Sequence, residues 1–210
     1  MNSVRVVGLG PGEKAYILPA AIEAIQKADI LIGAQRHLDA FSEYGKQTFC
    51  IAHRFEQMIG FIKEKANKQN IAVVVSGDTG FYSLLRYLKS NLPDQEFDVI
   101  PGISSITLMF ARLGFMYDDA FTTSMHGKEL DVARIVREYK KVGLLTDGKA
   151  TPAAIAQKLE SAGVKGKLMA IGERLSYADE KISKLTPEQA KKYEADLLSV
   201  VVIYDEDIRV

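Results

Sequence analysis

VRVVGLGPGEKAYILPAAIEAI, residues 4–25, decides how the chain is read. Val4-Arg5-Val6-Val7 has the β-branched composition of a buried strand. Gly8-Leu9-Gly10-Pro11-Gly12 follows as a turn, and the remainder reads as a helix. Strand, glycine-rich turn and helix in that order open an α/β unit. The same order opens a dinucleotide-binding fold, in which the turn cradles a pyrophosphate.

The dinucleotide reading fails on spacing, charge and helix position. The fingerprint is G-x-G-x-x-G, but the spacing here is G-x-G-P-G. Glu13 stands at the place of the third glycine and would set a negative charge beside the phosphate. Pro19 would cost roughly 3 kcal/mol in a helix interior. The helix is therefore expected to begin at Leu18 or Pro19, too late for its N-terminus to face a ligand held by the turn. Gly33-Ala34-Gln35 ends the next strand without an acidic residue to grip a ribose. Two readings stay open: a structural turn, or a side-chain-poor surface that admits a bulky ligand to the backbone.

Working outward, β-branched runs alternate with amphipathic stretches. Strands are expected at Val4-Val7, Ile30-Gly33, Ile71-Val75, Asp98-Ile100, Gly143-Thr146, Leu168-Ile171 and Leu198-Tyr204, and helices at Phe55-Asn67, Ser104-Leu113, Leu130-Tyr139 and Pro152-Ala162. This alternation argues for an α/β fold with mainly parallel pairing. Val73-Val74-Val75 and Val200-Val201-Val202-Ile203 read as strands covered on both faces. Thr151-Pro152 and Thr186-Pro187 mark helix starts, and Gln189 completes a capping box with Thr186. Continuity is weakest near Gly114-Phe115-Met116-Tyr117, which predicts an N-terminal lobe at 1–115 and a C-terminal lobe at 116–210. A cleft between two lobes is a common ligand site.

Length and composition narrow the class. A chain of 210 residues can bury one large core or two small ones. Its 27 basic and 27 acidic residues cancel, so no broad basic field argues for nucleic acid. Cys50 is the only cysteine, which excludes an internal disulfide and a thiolate metal cluster. The N-terminus reads as a strand and no apolar run reaches roughly 20 residues, so a soluble cytoplasmic protein without membrane contact is expected.

Other strand ends carry chemistry-bearing groups. Ser76-Gly77-Asp78-Thr79-Gly80-Phe81-Tyr82 places a carboxylate between glycines, where it can accept bonds from a ligand. Equally, Asp78 or Thr79 can cap a helix containing Tyr82 to Leu88. Pro101-Gly102-Ile103-Ser104-Ser105 turns tightly, and its serines suit either a helix cap or a polar cofactor. Thr122-Thr123-Ser124-Met125-His126-Gly127-Lys128 sets a histidine and a cation beside glycine, for proton transfer, ion pairing or a structural role. Arg36-His37 reads as an anion site or a solvated basic pair, and Leu145-Thr146-Asp147-Gly148 and Gly172-Glu173-Arg174 are further strand-end turns. His37, His53 and His126 are widely spaced, and neither a nucleophile triad nor metal-ligand spacing is present. The chemistry therefore rests on a bound cosubstrate.

Together these segments resemble the tetrapyrrole (corrin/porphyrin) methylase family, in order and over most of the chain. VVGLGPGEKAYILPAAIEAIQKADILIG is similar to the family's G-x-G-P-G opening, SGDTGFYSL to its G-D-P segment and IPGISSI to its P-G-x-S-S segment. IGAQRHLDAF and TTSMHGKEL resemble the branch that methylates C5 of cobalt-precorrin-7. Thr79 departs from the usual proline, and Lys128 from the common arginine, which keeps charge but loses bidentate geometry.

The resemblance implies a homodimer of two-lobe chains, each lobe a mixed, mainly parallel sheet with flanking helices. S-adenosylmethionine (SAM) would lie in the cleft, lined by Pro11, Ser76, Gly77, Asp78, Phe81, Ser104, Ser105, Leu145 and Ile171. Arg36, His37, His126, Lys128 and Arg174 would bind the carboxylates of a reduced tetrapyrrole, with Gly10 and Gly12 allowing its close approach. Methyl transfer from a sulfonium needs alignment and exclusion of water rather than a dedicated base, and His126 is the one catalytic candidate. The chain ends at Val210, so a C15-methylating decarboxylase is expected as a separate protein. The alternatives are another substrate of the family (a different precorrin, a diphthine precursor or ribosomal RNA) or a non-catalytic ligand-binding module.

Overall fold

The computed structural model describes residues 3–127 and 129–208. The chain divides into two compact units, Met1–Ser104 and Ser105–Val210. Within the first, the described strands are β1 (Val4–Gly8), β2 (Ile30–Gly33), β3 (Gln47–Cys50), β4 (Ile71–Val75) and β5 (Phe97–Ile100), ordered β3-β2-β4-β1-β5. Each pairing among them is parallel. Helices α1 (Pro19–Lys27), α2 (Gln35–Asp39), α3 (Phe55–Lys65) and α4 (Leu85–Asn91) belong to this unit.

Strand alternation explains how both faces of this sheet are buried. Val4, Val6, Ile71, Val73 and Val75 point one way and pack with Met58, Ile62 and Leu88 of α3 and α4. Val7, Leu31, Ala72 and Val74 point the other way and pack with Ala21, Ala24 and Ile25 of α1. α1 begins at Pro19 with Leu18 as its cap residue in extended conformation. Proline is tolerated there because the first helical N–H has no intrahelical acceptor.

In the second unit the helices are α5 (Ser105–Leu113), α6 (Val132–Glu138), α7 (Pro152–Ser161) and α8 (Pro187–Ala190), among the described residues. The strands are β6 (Phe121–Ser124), β7 (Lys141–Leu145), β8 (Lys167–Glu173), β9 (Lys181–Leu185) and β10 (Ser199–Asp205), in the order β6-β7-β10-β8-β9. Here the expectation of mainly parallel pairing is corrected. β6 and β7 are parallel, whereas β10 runs antiparallel to both β7 and β8, and β9 antiparallel to β8. The connection 174–180 is too short for the crossover that parallel strands require. The apolar run of β10 reports burial on two faces and is silent about direction.

The placement of α5 follows from two glycines. A β-carbon on Gly143 of β7 would lie 3.0 Å from Ile106 and Phe110, and one on Gly172 of β8 would lie 2.6 Å from the Met109 sulfur. Both glycines let α5 settle against the second sheet, so the division falls before this helix, ahead of the 115/116 boundary expected from the sequence. Thr151 Oγ1 accepts from Ala154 N at 3.2 Å, and Thr186 and Gln189 form the reciprocal capping box. Among the described residues no helix is long and apolar enough to cross a membrane.

Candidate functional site

Three turns at the carboxyl ends of neighbouring strands β1, β4 and β5 close on one another. Leu9 N donates to Val75 O at 2.9 Å, continuing the β1–β4 ladder. Beyond it the chains reverse. Gly10 N donates to Gly77 O at 3.1 Å and Gly77 N to Gly10 O at 2.8 Å, a small antiparallel bridge. Gly10 (φ 74°) and Gly77 (φ 66°) hold the left-handed backbone that this reversal needs. A β-carbon on Gly8 would stand 2.6 Å from Gly102 N and 2.8 Å from Gly77 O. On Gly102 it would stand 2.1 Å from Gly77 O.

At Gly8 of the first turn, and at Gly102 of the turn after β5, the space that a side chain would take is filled by backbone. A β-carbon on Gly10 would stand 2.9 Å from the Tyr16 carbonyl oxygen, while Gly12 is exposed. Glu13 caps a short 3₁₀ turn, Lys14–Tyr16, accepting from Lys14 N at 3.0 Å.

Asp78 ties the junction together. Its Oδ1 accepts from Gly102 N at 3.2 Å and its Oδ2 from Gly80 N at 3.1 Å. The helix-capping alternative is set aside, because α4 starts only at Leu85 and Leu84 occupies its cap position. Pro11 and Phe81 are half-buried and Ser76 is exposed beside the bridge. Ser104 Cα lies 3.8 Å from the β-carbon position of Gly77. The turns carrying Pro11, Ser76, Gly77, Asp78 and Ser104 are thus joined by hydrogen bonds or close packing, with a carboxylate in their midst.

The basic pair after β2 differs from its expected chemistry. Arg36 Nε donates to His37 Nε2 at 3.2 Å. Burial, with the Arg36 charge adding to it, holds the His37 imidazole down at about 4. At neutral pH His37 is therefore uncharged, and the cation expected at this position is Arg36 alone. His37 Nδ1 is buried without a hydrogen-bond partner among the described residues.

In the second unit, His126 stands at the end of β6. Its Nδ1 lies 2.9 Å from Ser124 Oγ, and its backbone N–H donates to the same oxygen at 3.2 Å. With one lone pair of Oγ taken by that N–H, the hydroxyl proton is free to point at Nδ1. Asp147, beyond β7, is held below the usual carboxylate range by the Ala150 and Lys149 N–H groups, at 2.7 and 2.8 Å, and more weakly by His126 and Gly127 N. Lys128 lies outside the described residues. Ser105 opens α5, Leu145 is half-buried at the end of β7, and Ile171 packs inside the core of this unit.

Arg174 is already engaged. Its Nε donates to Asp179 at 2.6 Å, its guanidinium lies 5.0 Å from the Tyr177 ring centre, and Asp179 is held below its ordinary range by that hydrogen bond. The loop it opens is braced by Glu180, which takes Arg112 Nε at 2.6 Å and Ser176 N at 2.6 Å. Sequence reasoning treated Glu173 only as part of a turn. It is buried, accepts from the Tyr193 hydroxyl and takes Asp196 N at 2.8 Å. The available signal was an acid ending the apolar run Met169-Ala170-Ile171-Gly172. Among the described residues no group of His, Cys, Asp and Glu could hold a metal ion.

Comparison with known proteins agrees with this arrangement. The profile of the Tetrapyrrole (Corrin/Porphyrin) Methylases matches residues 3–191, and the chain belongs to that family. A cobalt-precorrin-7 C(5)-methyltransferase of Salmonella typhimurium is 33% identical over 95% of this chain and 98% of its own. A probable cobalt-precorrin-7 C(5)-methyltransferase of Methanocaldococcus jannaschii is 28% identical over 98% of this chain and 100% of its own. The crystal structure of the methyltransferase CobJ superposes with a TM-score of 0.84 at 19% identity, covering 100% of this chain and 97% of that one, which shows a shared fold.

Proposed function

We propose that this chain is a SAM-dependent methyltransferase that methylates C5 of cobalt-precorrin-7, or of its cobalt-free counterpart, in cobalamin synthesis. The observation that carries the reading is the Asp78 link to Gly102, which joins two of the family's motif turns, within a chain related end to end to a C5-methyltransferase. The donor set suits SAM. Asp78 supplies an acceptor for ribose hydroxyls or an ammonium, and Phe81 offers a half-buried aromatic face. When bound, SAM supplies an electrophilic methyl group on a sulfonium.

This chain's residues then hold, align and exclude water. Pro11, Ser76, Gly77, Asp78, Phe81 and Ser104 would contact the donor in the first unit, and Ser105, Leu145 and Ile171 are carried over from the family in the second. Arg36, His126, Lys128 and Arg174 would meet carboxylates of the macrocycle. His37, uncharged, would orient Arg36 by accepting its Nε–H. A homodimer, a cytoplasmic setting and a separate C15-methylating decarboxylase complete the proposal.

The test is incubation of the purified protein with SAM and either precorrin-7 or cobalt-precorrin-7, read by mass spectrometry. Gain of one methyl group at C5 is expected. Calorimetry showing no SAM binding, or binding without transfer to either substrate, overturns the proposal.

A further inference from the structure

A groove of about 420 Å³ opens beside the Asp78 turn and belongs entirely to the first unit. Its polar lining comes from Thr79, Tyr82, Ser83, Arg86, Lys89 and Ser90, and no carboxylate lines it. Arg86, Lys89 and Ser90 sit at i, i+3 and i+4 on α4, which places all three on one face of that helix. The groove starts one residue past Asp78, whose Oδ2 takes Gly80 N at 3.1 Å, so its near wall is held by the same carboxylate that joins the turns after β4 and β5.

The pairing pattern of the arginines sets Arg86 apart. Arg5, Arg112, Arg134 and Arg174 each pair with a carboxylate. Arg36, Arg54 and Arg137 donate to His37 Nε2, Cys50 O and Ala162 O. Among the described residues, Arg86 is the arginine whose side chain has neither an ion pair nor a hydrogen bond, and the Lys89 ammonium, like those of several other lysines, has neither. An exposed guanidinium and an exposed ammonium one turn apart repel each other, and that repulsion is relieved by an anion. A planar fork beside a point charge, with a serine hydroxyl next to them, fits a carboxylate that the arginine can take with two parallel bonds.

We propose that the α4 groove is a carboxylate-binding site, built from Arg86 and Lys89 with Ser90, that anchors a carboxylate of a bound reactant beside the Asp78 turn. This assignment rests on the methyltransferase reading above. Two reactants of that reaction carry the chemistry: the acidic side chains of the macrocycle and the methionine carboxylate of SAM. A groove of this volume has room for more than one carboxylate, which favours the macrocycle.

The test is steady-state kinetics on the full-length protein, varying cobalt-precorrin-7 and SAM separately, for wild type, Arg86→Ala/Lys89→Ala and Arg86→Lys/Lys89→Arg. The alanine pair is expected to raise KM for cobalt-precorrin-7 about tenfold with kcat within about twofold, and to flatten the salt dependence of that KM. The charge-retaining pair should recover most of the loss. The same rise confined to SAM assigns the site to the methionine carboxylate. An alanine pair with both KM values unchanged overturns the proposal, and so does an equal rise in Lys165→Ala/Lys192→Ala, which removes two cations elsewhere. Inactive wild type refutes the methyltransferase reading itself, a result separate from either of these.

Discussion

Gly8 and Gly102 touch backbone to backbone: a β-carbon on Gly8 would stand 2.6 Å from the Gly102 nitrogen, and one on Gly102 would stand 2.8 Å from the Gly8 carbonyl carbon. Neither contact can be relieved by rotating a side chain. Gly102→Ala is expected to destabilise the protein by about 2–4 kcal/mol, seen as a Tm lower by roughly 5–15 °C. Gly148→Ala, where a β-carbon meets nothing within 4 Å, should stay within about 0.5 kcal/mol of wild type. Equal Tm values for the two variants would contradict the packing described.

Asp78 accepts from Gly80 N of its own turn and from Gly102 N of the turn after β5, so Asp78→Asn keeps the shape and loses one acceptor. SAM binding measured by calorimetry should weaken at least about tenfold. The accompanying loss of stability should be about 1–2 kcal/mol, from the Gly102 or Gly80 N–H left unpaired. Unchanged SAM affinity would remove Asp78 from the donor site.

His37 offers a prediction in pH. Its folded-state value is about 4, against 6.5 for the unperturbed group. Below pH 6.5 the unfolded chain therefore takes up a proton that the folded chain refuses, and stability falls as pH drops towards 4. Relative to His37→Asn, wild type should lose up to about 3 kcal/mol across that window, as read by urea denaturation at pH 7.5 and pH 4.5. Parallel pH profiles would place His37 in water.

Tyr193 donates to the buried Glu173, and its hydroxyl also lies 2.8 Å from Ser183 Oγ. Tyr193→Phe leaves a buried carboxylate short of a donor and should cost about 1–3 kcal/mol. Ser183→Ala should cost less, about 0.5–1.5 kcal/mol, because Glu173 keeps its partner. Chemical denaturation of both variants checks the order.

Arg174 is held by Asp179 on the surface. Asp179→Asn is expected to leave Tm unchanged and to lower KM for cobalt-precorrin-7 by freeing the guanidinium. A rise in KM would show that the pair holds Arg174 in its working position.

How much of this was legible in the sequence depends on where each strand lies in its sheet. Central strands β1, β2, β4, β7, β8 and β10 were visible as apolar runs, because helices cover both their faces. Strands β3, β6 and β9 went unanticipated, and all three are sheet edges. Gln47-Thr48-Phe49-Cys50 and Lys181-Ile182-Ser183-Lys184-Leu185 are short and half-polar, as an edge facing water allows. The turns of the candidate site were each recognisable alone. Their mutual contact was not, because it depends on strand register between residues far apart in sequence. The neutrality of His37 has a related cause: it comes from burial, which a local motif does not encode.

The glycine contacts among Gly8, Gly77 and Gly102 also bear on how such a chain can be redesigned. Each turn fills the space that another leaves, so none can be lengthened or exchanged by itself. Loop grafts at this end of the sheet must replace the three together. Single replacements there should behave non-additively in double-mutant cycles, since the first to push the turns apart relieves the penalty of the second.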